Sequence, residues 1–373
     1  MPEVPFYDLR AAVRGNRAHL HEVLDATIDG GYFIGGAAVS RFEREFAAYL
    51  GVSECVGVGN GLDGLRIAME VLGIGPGDEV IVPGFTFYAT WLAVMQTGAT
   101  PVPVDVDLTT AGMDAASVEA AISDRTKAIL VVHLYGIPAD LATLRRIADK
   151  AEISLIEDAA QSHGAKSGGL MTGSVGEIAS YSFYPTKNLG ALGDGGAIVT
   201  NSAELAAAAR SRRSYGQGAS KYDHVDTGWN SRLDTLQAAF LSEGLTGLDD
   251  RNQRRREIAT AYLEALGDVR GAVVGSGNLS ESVWHQFVVR AGDRDGARDY
   301  LSQSGVGTDI HYPYDFGTLA PTQKYGPTRP LPNSRALARE VLSLPIGPML
   351  TDAEVSQVAE ALAQFPRELL AAL

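Results

Sequence analysis

The sequence predicts an α/β protein with a mostly parallel central sheet and a smaller α+β unit at its C-terminal end. Three observations predict this. Short apolar runs alternate with helix-forming segments from Cys55 to Arg213, the pattern of strands joined by crossover helices. The texture changes after Asn230, where the segment Leu233–Leu266 is rich in helix formers. The chain has 373 residues, more than the roughly 250–300 at which a single core stops growing. A large unit over residues 1–240 and a small one over 241–373 follow, with the N-terminal segment expected to pack on the small unit.

Composition narrows the function. Hydrophobic residues make up 45% of the chain, ample for a buried core. One cysteine, Cys55, excludes an intrachain disulfide and a cysteine-rich metal site. The formal charge of −14 disfavours non-specific binding to nucleic acid or an anionic membrane. An anionic ligand must then be held by local design. No apolar run approaches the roughly 20 residues that span a bilayer, and MPEVPFYDLR has no signal pattern, so the expected location is cytoplasmic.

Taken in order, Arg14–Asp29 reads as a helix ended by Gly30-Gly31, and Ser40 as the cap of a helix Arg41–Leu50 with Glu43 in a capping box. Strands are predicted at Cys55–Val58, Val80–Pro83, Thr100–Asp105, Lys127–His133, Ile153–Ile156, Ile178–Phe183 and Ala197–Thr200. Helices fall at Leu62–Leu72, Phe85–Thr97, Ala115–Ile122, Asp140–Ala151 and Ala203–Arg213. Beyond them come one long or broken helix over Leu233–Leu266, strands at Trp284–Arg290 and Gly307–Ile310, and helices at Asp295–Ser304, Ser334–Ser343 and Asp352–Ala363. The arginines at 251, 254, 255 and 256 read as a solvated or interfacial helix face.

The stretch Ser180–Asn201, SYSFYPTKNLGALGDGGAIVTN, concentrates the chemistry. It places one lysine, Lys187, between Pro185 and a glycine-rich turn, where close approach is encoded. Asp158 ends the strand before it. An acid at a strand end often only caps the next turn, and a loop lysine is often only exposed. Together at one edge of the sheet they gain a purpose: a lysine for the aldehyde of pyridoxal phosphate and a carboxylate for its pyridinium nitrogen. Gly59-Asn60-Gly61, between a strand and a helix, offers backbone N–H groups to a phosphate, and Ser182 offers a hydroxyl. Phe87 can cover a ring and Gln161 can reach a phenolic oxygen. His163 reads as a supporting residue.

These residues carry a resemblance. The chain resembles the pyridoxal-phosphate-dependent sugar aminotransferases of the DegT–DnrJ–StrS family. The likeness runs from VPFYDL (Val4–Leu9) through VGVGNGLDGL, PGDEVIVPGFTFYAT, HLYGIPAD, EDAAQSHGA and SFYPTKNLGALGDGGAIVTN to GWNSRLD (Gly228–Asp234), HYP (His311–Pro313) and LSLPIGP. It implies the type I aminotransferase fold and a homodimer with shared active sites. It implies Lys187 as the Schiff-base lysine, Asp158 on the pyridine nitrogen, Gln161 on the ring hydroxyl and Phe87 stacked on the ring. Gly61, Leu62 and Ser182 would hold the phosphate, with Asn230 reaching the cofactor of the partner subunit. Lysine rather than histidine at the central position implies transamination, through pyridoxamine phosphate.

The wording is most similar to members that aminate a 3-keto deoxyhexose carried on a nucleoside diphosphate, of dTDP type, with glutamate as donor, in amino-sugar and antibiotic biosynthesis. There Tyr184, the partner's Lys221 and the partner's Tyr222, and His311-Tyr312 would line the sugar-nucleotide site. After HYP the chain departs from those relatives, with Tyr314, Asp315, Phe316 and Gly317. An aminocyclitol or another keto acceptor therefore remains open, as does a non-catalytic sensor on the same fold. Keto-inositols against nucleotide keto-sugars separate the first, and a single turnover with glutamate separates the second.

Overall fold

The computed structural model describes residues 3–220, 222–326 and 329–371; Lys221 lies outside the described residues. Eleven strands are described: β1 (Glu54–Val58), β2 (Glu79–Pro83), β3 (Thr100–Val104), β4 (Thr126–Val132), β5 (Ser154–Asp158), β6 (Lys166–Ser167), β7 (Leu170–Met171), β8 (Ile178–Ser182), β9 (Gly196–Thr200), β10 (Phe287–Arg290) and β11 (Val341–Leu344). Seven of them make one sheet in the order β1-β9-β8-β5-β4-β2-β3. Every pairing from β8 to β3 is parallel. Only β9 runs against its neighbours, β1 and β8.

Helices cover both faces, so the strands read as unbroken apolar runs rather than alternating ones. One face packs Val56, Ile156 and Ile178 against Leu65, Ile67 and Trp91. The other packs Ile129, Val131 and Leu155 against Leu144 and Ile147, and Tyr181 and Phe183 against Phe42 and Phe46. A separate apolar cluster joins Ile258, Tyr262, Trp284, Phe287, Leu301, Leu344 and Val358 around the β10–β11 pair, and Val4 belongs to it.

Several boundaries differ from expectation for physical reasons. The helix before β1 starts at Ala37 behind Gly36, so Ser40 lies inside it and caps nothing. Glu43 instead pairs with Arg213 at 2.6 Å and accepts the Gly57 N–H at 2.8 Å. The stretch expected as one long or broken helix is broken, at Gly247, into Thr235–Thr246 and Leu248–Leu266. Within the second, Arg255 is fully buried and donates to the carbonyls of Trp284, His285 and Ile346, so the arginine cluster is not simply a solvated face. Gly307–Ile310 is no strand; Asp309 makes a single bridge to Ser343. The predicted helix over Ser334–Ser343 stops at Glu340, because Val341–Ser343 are claimed by β11. The departing segment after His311-Tyr312-Pro313 is partly core: Phe316 is buried against Trp91, with ring centroids 5.3 Å apart.

Candidate active site

Strand alternation sends the two acids ending β5 to opposite faces. Glu157 points into the protein, where it accepts from His133 at 2.9 Å and from the N–H groups of Gly173, Val175 and Gly176 at 2.6, 2.9 and 2.7 Å. It fixes the loops beyond β5. Asp158 points into a cavity of about 390 Å³ at the C-terminal edge of the parallel strands, where ligands of such sheets sit. Burial pushes its carboxyl above the usual range, opposed by the Thr90 hydroxyl at 2.8 Å, the Ala160 N–H and the charge of Lys187.

Lys187 follows β8 through a tight turn in which its N–H donates to the Tyr184 carbonyl at 2.8 Å. The turn closes over Gly190, where a Cβ would stand 2.5 Å from the Pro185 carbonyl oxygen. Lys187 lines the Asp158 cavity. Burial lowers its pKa from 10.5 to about 8, partly offset by the Asp158 carboxylate. At neutral pH a useful fraction is therefore an uncharged nucleophile, which a free lysine is not.

The anion cradle forms where β1 feeds the helix Gly61–Val71. Asn60 caps that helix through the Asp63 N–H at 2.8 Å, leaving the first N–H groups, at Gly61 and Leu62, toward the cavity that both residues line. Ser182 closes the other side. A Cβ on Gly61 would lie 2.8 Å from the Ser182 Cβ, so the approach requires glycine.

Phe87 stands just before the helix Tyr88–Thr97, half exposed over the cavity, its centroid 5.2 Å from the Tyr312 ring. Gln161 bridges two parts of the chain: its Oε1 accepts the Tyr135 N–H at 2.6 Å and its Nε2 donates to the Tyr312 hydroxyl at 3.0 Å. Tyr184 and His311 also line the cavity. Tyr222 and Asn230 do not; both are exposed, away from the cavity of their own chain. His163 is buried against Tyr181 and Phe183, and burial beside Lys187 pushes its ring down to about 3.

Two residues escaped the sequence reading. Thr90, the hydroxyl donor on Asp158, stands one helical turn after Phe87, a spacing that returns to the same face. His285 lines the cavity from just before β10. It is a lone histidine far along the chain from Lys187 and carries no local signal.

The donor set fits pyridoxal phosphate: a carboxylate and an amine across one cavity, a glycine-lined anion cradle and an aromatic wall. An enzyme of the pyridoxal-phosphate aminotransferase class is what this sheet and this site define. The chain belongs to the DegT/DnrJ/EryC1/StrS aminotransferase family, whose sequence profile matches residues 16–363. It is 45% identical over 367 residues to the dTDP-3-amino-3,4,6-trideoxy-alpha-D-glucose transaminase of Streptomyces venezuelae, covering 98% of this chain and 96% of that one. Its fold superposes with a TM-score of 0.94 on S. venezuelae DesV in complex with a ketimine intermediate, at 44% identity and covering 98% and 99% of the two chains. NtdA of Bacillus subtilis, solved with bound pyridoxamine phosphate, superposes with a TM-score of 0.90 at 32% identity, covering 98% of this chain and 85% of that one.

Proposed function

We propose that this chain transfers an amine, with pyridoxal phosphate, onto a keto carbon of a nucleotide-linked deoxysugar of dTDP type, drawing the amine from glutamate and releasing 2-oxoglutarate. The observation that carries the reading is the Lys187 amine of lowered basicity facing the buried Asp158 carboxylate. The similarity to a dTDP-amino-sugar transaminase supports the substrate class.

When bound, pyridoxal phosphate supplies the electron sink for the carbon that exchanges its amine. The chain supplies the rest. Lys187 Nζ would anchor the cofactor and, as a free amine, would serve as general base and acid at the reacting carbons. Asp158, whose charged form the Thr90 hydroxyl favours, would hold a proton at the ring nitrogen. Gly61, Leu62 and Ser182 would hold the phosphate, Gln161 would orient the ring hydroxyl, and Phe87 would cover one face.

Asn230 and the Lys221-Tyr222 pair act in the partner subunit's site, and Tyr184, His311 and Tyr312 line the sugar-nucleotide site. This makes the working form a homodimer. The exposure of Tyr222, Val225 and Trp229 on the segment leading to Asn230 supports that assignment. The units we assign are 1–240 for the cofactor and 241–373 as the smaller partner; the apolar cluster around the β10–β11 pair supports the second, while Phe316 and Leu331 pack into the core of the first. A cytoplasmic location is consistent with the finding that, among the described residues, no helix is long and apolar enough to cross a membrane.

The test is to incubate the protein with pyridoxal phosphate, glutamate and a dTDP-3-keto-6-deoxyhexose and to follow the sugar nucleotide by mass spectrometry. The amino-sugar nucleotide and one equivalent of 2-oxoglutarate are expected. Turnover of keto-inositols instead would move the acceptor to an aminocyclitol, and no amine transfer to either would defeat the reading.

A further inference from the structure

Behind Lys187 lies a chain of side-chain hydrogen bonds whose direction is fixed at two points by backbone carbonyls. The Asn252 amide donates to the His163 carbonyl at 2.8 Å, so its oxygen faces Asn188. The Asn188 amide nitrogen donates to that oxygen at 2.8 Å and to the Val283 carbonyl at 2.9 Å. A carbonyl cannot donate, so the Asn188 atom facing Val283 is its NH₂ group, and its oxygen must be the atom 3.2 Å from His285 Nδ1. Nδ1 therefore carries the proton, and in the neutral ring Nε2 is a bare lone pair.

The backbone that carries the ring is held as well. The Gln286 N–H donates to the Tyr135 carbonyl at 3.2 Å, and Arg255 donates to the carbonyls of Trp284 and His285 at 3.1 and 3.3 Å. His285 is buried yet lines the same cavity as Lys187. The charged and titratable groups that face it are Lys187 from the loop after β8, Arg255 from the helix Leu248–Leu266, His163 from the loop after β5, and His311. Burial, with the positive charge of these groups, pushes the imidazole's pKa down and so favours its uncharged form.

We propose that His285 is a positioning residue for Lys187: its bare Nε2 accepts an N–H of the Lys187 amine and aims that amine into the cavity whenever it is not covalently engaged, and Asn188, the next residue along the chain, fixes the ring for this task. The proposal rests on the reading of Lys187 as the reacting amine. It explains why the residue after the lysine is a buried asparagine spent on side-chain contacts.

The test compares the wild type with His285→Phe, which keeps a ring but has no acceptor, and His285→Gln, which restores one. In the unloaded full-length protein, acetylation of Lys187 is followed against pH by peptide mass spectrometry. An acceptor stabilises the ammonium form, so His285→Phe should lower the half-titration point by about one pH unit and His285→Gln should recover most of it. In the loaded enzyme His285→Phe should lower kcat about tenfold while KM for glutamate stays within twofold. Unchanged Lys187 titration and kcat in His285→Phe would overturn the proposal.

Nitrogen NMR of the wild type with labelled histidine provides the arm that needs no variant to fold. A protonated Nδ1 and an unprotonated Nε2 on His285 are expected, with an Nε2 shift when Lys187 is acetylated; an Nε2–H tautomer would overturn the proposal. If the wild type binds pyridoxal phosphate without engaging Lys187, the reading of the lysine fails and the proposal falls with it. If wild-type Lys187 is engaged and His285→Phe behaves like the wild type, the positioning role alone fails.

Discussion

Gln161 and Tyr312 meet across the cavity, the Gln161 amide donating to the Tyr312 hydroxyl at 3.0 Å while its oxygen holds the Tyr135 N–H at 2.6 Å. One side chain thus ties the loop after β5 to the segment that follows His311. Removing the Tyr312 hydroxyl by Tyr312→Phe costs one hydrogen bond, about 1 kcal/mol, and kcat/KM is expected to fall about five- to tenfold. Gln161→Leu also strands the buried Tyr135 N–H, so its denaturant midpoint should drop further, by an amount worth about 1–3 kcal/mol. Equilibrium unfolding and steady-state kinetics on both variants check the pair.

Asp158 must stay ionised although burial pushes its carboxyl up. Asp158→Asn preserves the shape and the Thr90 contact but removes the charge, and kcat should fall on the order of 10²–10³-fold. Thr90→Val withdraws a donor that favours the ionised form. The Asp158 carboxyl then moves further up, and the acidic limb of the kcat profile should shift to higher pH. A pH–rate series on Thr90→Val reads the direction.

Lys187 has a cost in the unloaded protein. The unfolded chain keeps this proton up to about pH 10.5, whereas the folded chain loses it near 8. The native state therefore binds fewer protons between those values. Stability should rise as pH climbs from 8 to 10.5, with the full penalty present below 8. At about 1.4 kcal/mol per unit the penalty is roughly 3 kcal/mol. Lys187→Met should raise the melting temperature of the unloaded protein at pH 7 and flatten its pH dependence above 8, as thermal unfolding across pH would register.

The sharing of sites between subunits can be tested by mixing. If Asn230 serves the partner's site, Lys187→Ala and Asn230→Ala disable different subunits' contributions to one site. Each variant alone should have little activity. Co-refolded, a mixed dimer carries both changes in one site and none in the other, so activity should return toward a quarter of wild type for random pairing. If Asn230 serves its own chain's site, mixing restores nothing.

Much of this was legible in the sequence, and what was not has physical causes. Strands announced themselves because a sheet covered on both faces needs unbroken apolar runs, and Lys187 and Asp158 because charges at strand ends among small residues are conspicuous. The break at Gly247 was allowed for, since glycine is a poor helix former. The transfer of Val341–Ser343 from helix to β11 depends on tertiary neighbours, which local propensity cannot see. The same holds for His285 and Asn188, whose roles lie in a hydrogen-bond chain running from residue 163 to residue 285. Arg255 read as surface because arginine usually is; three carbonyls make its burial possible.

The central claim is that Lys187 is the amine that takes up the cofactor. Borohydride reduction of the protein loaded with pyridoxal phosphate, followed by peptide mapping, tests it most directly. One pyridoxyl group per chain on the peptide containing Lys187 is the predicted result. A label on another lysine, or binding with no reducible linkage, would contradict it.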